Sequence, residues 1–100
     1  MSVLVIEKDA DMLFFLNRIL TFSGFEVLAS EGGQKGLEVL KENKNVNYII
    51  SNSRLSDMNE IEFAIQAASI QGKPSVTLIS VKQFFDLWME SPKSLEELQT

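Results

Sequence analysis

Apolar positions along this chain fall into two alternating rhythms. Val3-Leu4-Val5-Ile6 is a continuous, branched apolar run, the pattern of a strand buried on both faces of a parallel sheet. Beyond Asp9 and Asp11, either of which suits a helix N-cap, Met12, Leu13, Leu16, Ile19 and Leu20 recur at helical spacing until Ser23-Gly24 stops them. Phe25–Ala29 predicts a second strand. Gly32-Gly33 opens a turn, and Leu37, Val39 and Leu40, with Glu38, Lys41 and Lys44 outside them, predict an amphipathic helix ending near Asn45. Val46–Ser51 reads as a third strand around Tyr48-Ile49-Ile50. A polar loop from Asn52 to Asn59 then leads to Ile61, Ala64, Ile65 and Ala68 on one helical face, closed by Gly72-Lys73-Pro74. Val76–Ser80 is the fourth strand. Strands alternating with helices in this way predict an α/β, three-layer αβα architecture: a doubly wound parallel sheet with right-handed crossovers.

Composition narrows the picture. One hundred residues, 45% of them hydrophobic and 23% charged, suit one packed domain over 1–100, and no repeat, low-complexity tract or linker marks a boundary. Nine Lys+Arg against 14 Asp+Glu give a net charge of −5, and no predicted helix carries a basic run, so direct nucleic-acid binding is not expected. No apolar stretch reaches the length of a membrane span, and Met1-Ser2 leads straight into a strand, which makes a cytoplasmic location the default expectation. The absence of Cys and His excludes disulfides, thiolate and imidazole metal sites, and every catalytic scheme built on those side chains.

Three blocks then stand out by their order and separation: Val3-Leu4-Val5-Ile6-Glu7-Lys8-Asp9, Gly24-Phe25-Glu26-Val27, and the run from Tyr48 to Asn59. On these blocks the stretch from Val3 to Ser80 resembles the receiver domain of bacterial response regulators. The resemblance implies a flavodoxin-like sheet of order 2-1-3-4-5, with the site at the carboxyl ends of strands one and three. In an active receiver two acidic residues after strand one help to hold Mg²⁺, an Asp ending strand three accepts phosphate, and a Thr/Ser and a Lys complete the site.

The matching positions here are Glu7, Lys8, Asn52, Ser80 and Ser91, of which only Glu7 and Ser80 keep the required type. An uncharged amide at 52 cannot form an acyl phosphate. An ammonium at 8 offers Mg²⁺ no oxygen ligand and repels it. The charges of Glu7, Lys8, Asn52 and Ser91 cancel, so a pocket neutralised by a Glu7–Lys8 pair, with no metal, is expected.

Active receivers place a full helix and a fifth strand between the Thr/Ser and the Lys, but only the ten residues Val81 to Glu90 separate Ser80 from Ser91. A crossover alone normally takes a dozen or more. Val81, Phe84, Phe85 and Trp88 follow i, i+3, i+4, i+7, which favours one helix, a sheet of order 2-1-3-4 and a fifth strand missing or vestigial. The competing alignment makes Asp86–Ser91 the fifth strand. Ser94 suits the cap of a last short helix through Gln99. Phe84, Phe85, Leu87, Trp88 and Met89 either plug the sheet edge left by the missing element or form a surface for a protein partner or a second copy.

These readings converge on a pseudo-receiver: a non-enzymatic, phosphorylation-independent protein-interaction module in signal transduction, with no cofactor. Two alternatives stand beside it. One is a receiver phosphorylated on another residue, Asp57 or Ser53, and switching accordingly. The other is an obligate oligomer, or the receiver part of a larger signalling protein.

Overall fold

A computed structural model of the chain describes residues 1–43, 45–51, 55, 57–72 and 77–90. Four strands, β1 (Ser2–Ile6), β2 (Glu26–Ser30), β3 (Val46–Ser51) and β4 (Thr77–Ser80), alternate with four helices, α1 (Ala10–Phe22), α2 (Gly33–Glu42), α3 (Glu60–Gln71) and α4 (Val81–Glu90). All strand pairs are parallel, in the order β2-β1-β3-β4. The predicted doubly wound sheet is therefore present, without a fifth strand among the described residues.

The run that opened the sequence is buried because both faces of β1 are covered. Val3 and Val5 point into a core with Leu16, Leu20, Phe25, Ile50, Ile79 and Phe84, while Leu4 and Ile6 point into a second core with Leu37, Leu40, Val46, Ile49, Phe63 and Ala67. Burial of such side chains contributes about 1.5–3 kcal/mol each, and the period-two alternation divides it between the two faces. The first core is roofed by α1 and α4, the second by α2 and α3.

This division explains the short C-terminal part. Val81, Phe84, Phe85 and Trp88, the residues whose spacing predicted a helix, are the ones α4 turns to the first core. A right-handed crossover from β4 to a further strand on its outer side would lie on the α2–α3 face. Since α4 lies on the opposite face, beside α1, it does not take the place of a crossover helix between β4 and a further strand. The strand alignment of Asp86–Ser91 is overturned through Glu90, and Ser91 and the predicted helix from Ser94 lie outside the described residues.

Strand and helix meet at β4–α4 without a loop. Ser80 Oγ accepts a hydrogen bond from Gln83 N–H at 3.0 Å, and Gln83 Oε1 accepts from Ser80 N–H at 3.0 Å. This reciprocal capping box starts the helix on the residue after the strand. The five residues read as an interaction surface do not share one fate. Phe84 is fully buried, Phe85, Leu87 and Trp88 are half-buried, and only Met89 is largely exposed.

Candidate functional site

Parallel strands deliver their last residues to one rim, and register fixes which ones meet. Ser30, Ile6, Ser51 and Ser80 lie in one row across β2, β1, β3 and β4. Glu7 stands one residue above it, its N–H donating to Ser30 carbonyl oxygen at 3.0 Å. Of the five residues expected in the pocket, Glu7, Lys8 and Ser80 thus reach the same end of the sheet. Asn52, which follows Ser51 in the chain, and Ser91 lie outside the described residues.

What these side chains do there differs from the expectation. Glu7 is buried, and its Oε1 accepts from Asp9 N–H at 3.0 Å, bracing the corner between β1 and α1. Lys8 is exposed, and the expected ion pair with Glu7 is not formed. Adjacent residues leaving a strand point to opposite sides, which takes the ammonium away from the buried carboxylate.

Four other polar side chains at this end cap helix N-termini. Asp9 Oδ1 accepts from Asp11 N–H at 2.9 Å and Met12 N–H at 3.1 Å, capping α1. Asn59 Oδ1 accepts from Ile61 N–H at 2.8 Å and Glu62 N–H at 3.2 Å, capping α3. Ser80 caps α4. For α2, whose own N-cap residue Gly32 has no side chain to offer, the cap comes from Asp57: Oδ1 accepts from Gly33 N–H and Oδ2 from Gln34 N–H, each at 2.9 Å. The approach is close. A Cβ on Gly32 would lie 3.1 Å from Asp57 Oδ2, and one on Gly33 would lie 2.7 Å from Met58 Sδ.

Sequence reading missed this role because 24 residues separate Asp57 from Gly33. The legible signal was a helix opening on Gly32-Gly33 with no capping side chain of its own. Asp57, the alternative phosphate acceptor, has both carboxylate oxygens engaged, and the N–H groups of Gln34 and Gly33 hold its pKa below the usual carboxylate value. A carboxyl acidified in the folded state stabilises the fold above its unfolded pKa, near 3.8, and ceases to do so as pH falls through its lower folded value. Asp57→Asn is expected to lower the melting temperature by a few degrees at neutral pH, and the gap to the wild type should close well below about pH 4. Melts at several pH values would show it; a gap that does not change with pH would mean that the charge plays no part.

The described residues of the rim do not supply the acids that hold the divalent ion of an active receiver. Among the described residues no three carboxylates gather into a cation site. Glu7 and Asp9, the acids nearest the end of β1, both bond backbone N–H groups, and the residue between them is a lysine.

Comparison with solved structures gives this geometry a context. A response-regulator receiver domain from Clostridium thermocellum superposes with a TM-score of 0.73 at 16% identity, covering 97% of this chain and 89% of that one. The receiver domain of the hybrid histidine kinase CckA gives 0.73 at 19% identity, covering 95% and 99%. The chain has the receiver fold. A third match, the N-terminal domain of an uncharacterized Wolinella succinogenes protein, gives 0.72 at 20% identity over 99% and 94%. Among curated proteins, the transcriptional regulatory proteins GlrR of Escherichia coli K12 and QseF of E. coli O157:H7 are each 31% identical over 77 residues, 76% of this chain. The chain spans only 17% of the length of those relatives. No family model matches it. Within this receiver fold no helix of the described residues is long and apolar enough to cross a membrane.

Proposed function

We propose that this receiver-fold chain is a pseudo-receiver that acts in signal transduction by binding protein, independently of phosphorylation and without catalysis or a metal. The observation that carries the reading is Lys8 beside the buried Glu7 at the end of β1, where an active receiver needs a second acid. Asn52, the residue after β3, supports it from the sequence, because an amide cannot take up a phosphoryl group. Ser80 supports it from the structure, since its side chain is turned to the start of α4, where Oγ accepts from Gln83 N–H.

The same considerations weigh against transfer to Asp57, whose two oxygens are held by α2. The likeness to GlrR and QseF favours work beside, or as part of, a regulatory protein larger than the chain itself. The test is incubation with acetyl phosphate and magnesium followed by intact-mass measurement. The expected spectrum is unchanged; a gain of one phosphoryl group at any residue would overturn phosphorylation independence.

A further inference from the structure

An amphipathic helix on a sheet turns mainly polar residues to water, but the outer face of α1 sets three large aromatic side chains among Asp11, Asn17, Arg18 and Thr21. Beyond Asp11 its only charged side chain is Arg18, and Phe14, Phe15 and Phe22 are 65%, 47% and 95% exposed. Phe14, Arg18 and Phe22 are spaced i, i+4, i+8 and form one stripe, in which the Arg18 guanidinium lies 5.9 Å from the centre of the Phe14 ring. Phe15 leans instead on α4, its ring centre 5.8 Å from that of Phe85. Phe22 rises between two hollows. One, of about 250 Å³, is lined by Arg18, Ile19, Phe22, Ser23 and Trp88; the other, of about 400 Å³, by Asn17, Arg18, Thr21 and Phe22.

We infer that this face binds a second copy of the chain, the Phe22 ring of each copy entering the hollow beside Trp88 of the other. The inference rests on the reading of the chain as a protein-binding module, and it names the partner and the surface. Two observations select a second copy. The projecting ring and the hollow that would receive one lie on the same patch, which is the self-complementarity an isologous two-fold contact requires. A different partner would need only one of the two.

The second observation is charge. With 14 Asp+Glu against nine Lys+Arg, two copies carry a net mutual repulsion. Glu60 and the exposed Glu62 have no basic residue on α3 to offset them, so that helix is an unfavourable contact, whereas α2 balances Glu38 and Glu42 with Lys35 and Lys41. The outer face of α1 carries no acid from Met12 to Phe22 and one base, Arg18, so like-charge repulsion is small there. Arg18 on α1 and the exposed Asp86 and Glu90 on α4, both on this side of the sheet, give the face opposite charges to exchange across a two-fold axis.

Sedimentation of the chain over a concentration series tests the inference, with two variants run beside it. The wild type is expected to show a monomer–dimer equilibrium. Phe22→Ala should raise its dissociation constant about a hundredfold, because the two-fold axis places that ring in the contact twice. Ile65→Ala, which removes a side chain 66% exposed on α3 of the opposite face, should leave it unchanged. Phe22 is exposed enough that its truncation should not move the melting temperature, so a lost dimer would not be a lost fold. A wild type that stays monomeric at every concentration overturns the homodimer, while the phosphorylation-independent reading stands or falls separately on the acetyl phosphate result. A dimer that survives Phe22→Ala overturns the surface.

Discussion

Phe84→Ala is expected to cost about 3–5 kcal/mol and to lower the melting temperature by more than about 10 °C. Phe84 is fully buried in the core that α1 and α4 share, among Val3, Val5, Leu16, Leu20, Phe25, Ile50 and Ile79. Its ring meets that of Phe85 edge-on, with centres 5.7 Å apart. Truncation removes the ring and leaves a cavity under a helix of ten residues whose other contacts with this core, Val81, Phe85 and Trp88, are only partly buried. A domain of this size has a total stability of roughly 5–15 kcal/mol, so the loss takes a large share of it. Phe85→Ala, at a half-buried position, should cost markedly less. Thermal melts by circular dichroism would decide. A Phe84→Ala variant that melts within a few degrees of the wild type would contradict the placement of α4 on the α1 face.

That placement also shows what could be read from the residues alone. Strand order and the two-faced burial of Val3-Leu4-Val5-Ile6 followed from alternation and chirality, since a continuous apolar run between helices has few other solutions. The helical spacing of Val81, Phe84, Phe85 and Trp88 was legible for the same reason. Of the two readings of the run from Phe84 to Met89, the buried plug suits Phe84 and an open surface suits Met89, a division that needs each residue assigned to a face. On α1 that assignment was not made. Met12, Leu13, Leu16, Ile19 and Leu20 already complete a buried stripe, so Phe14, Phe15 and Phe22 fall off it and are left to solvent.

The rim was less legible than the sheet. Glu7, Lys8 and Ser80 were placed correctly at the strand ends, because register follows from the strands. Their partners did not follow, because hydrogen bonds depend on where the chain turns. Ser80-Val81-Lys82-Gln83 has the spacing of a capping box, yet in the receiver frame Ser80 read as a pocket hydroxyl, and the missing loop between β4 and α4 decides for the cap. The Glu7–Lys8 pair was inferred from charge alone and fails on direction, one side chain buried and its neighbour exposed.

Lys8→Asp combined with Asn52→Asp is expected to give the chain a magnesium affinity that the wild type lacks. The two changes take the summed charge of positions 7, 8 and 52 from zero to minus three, and they supply the hard oxygen ligands that Mg²⁺ requires. They leave the Asp9 and Asp57 caps and the fold itself in place. The most direct measurement is a magnesium titration of both proteins followed by amide NMR, read at Glu7, Lys8 and Ser51. The account predicts saturable shifts in the double variant and none in the wild type. Saturable shifts at Glu7 and Lys8 in the wild type would contradict it, because the pocket would then still hold the ion on which receiver phosphorylation depends.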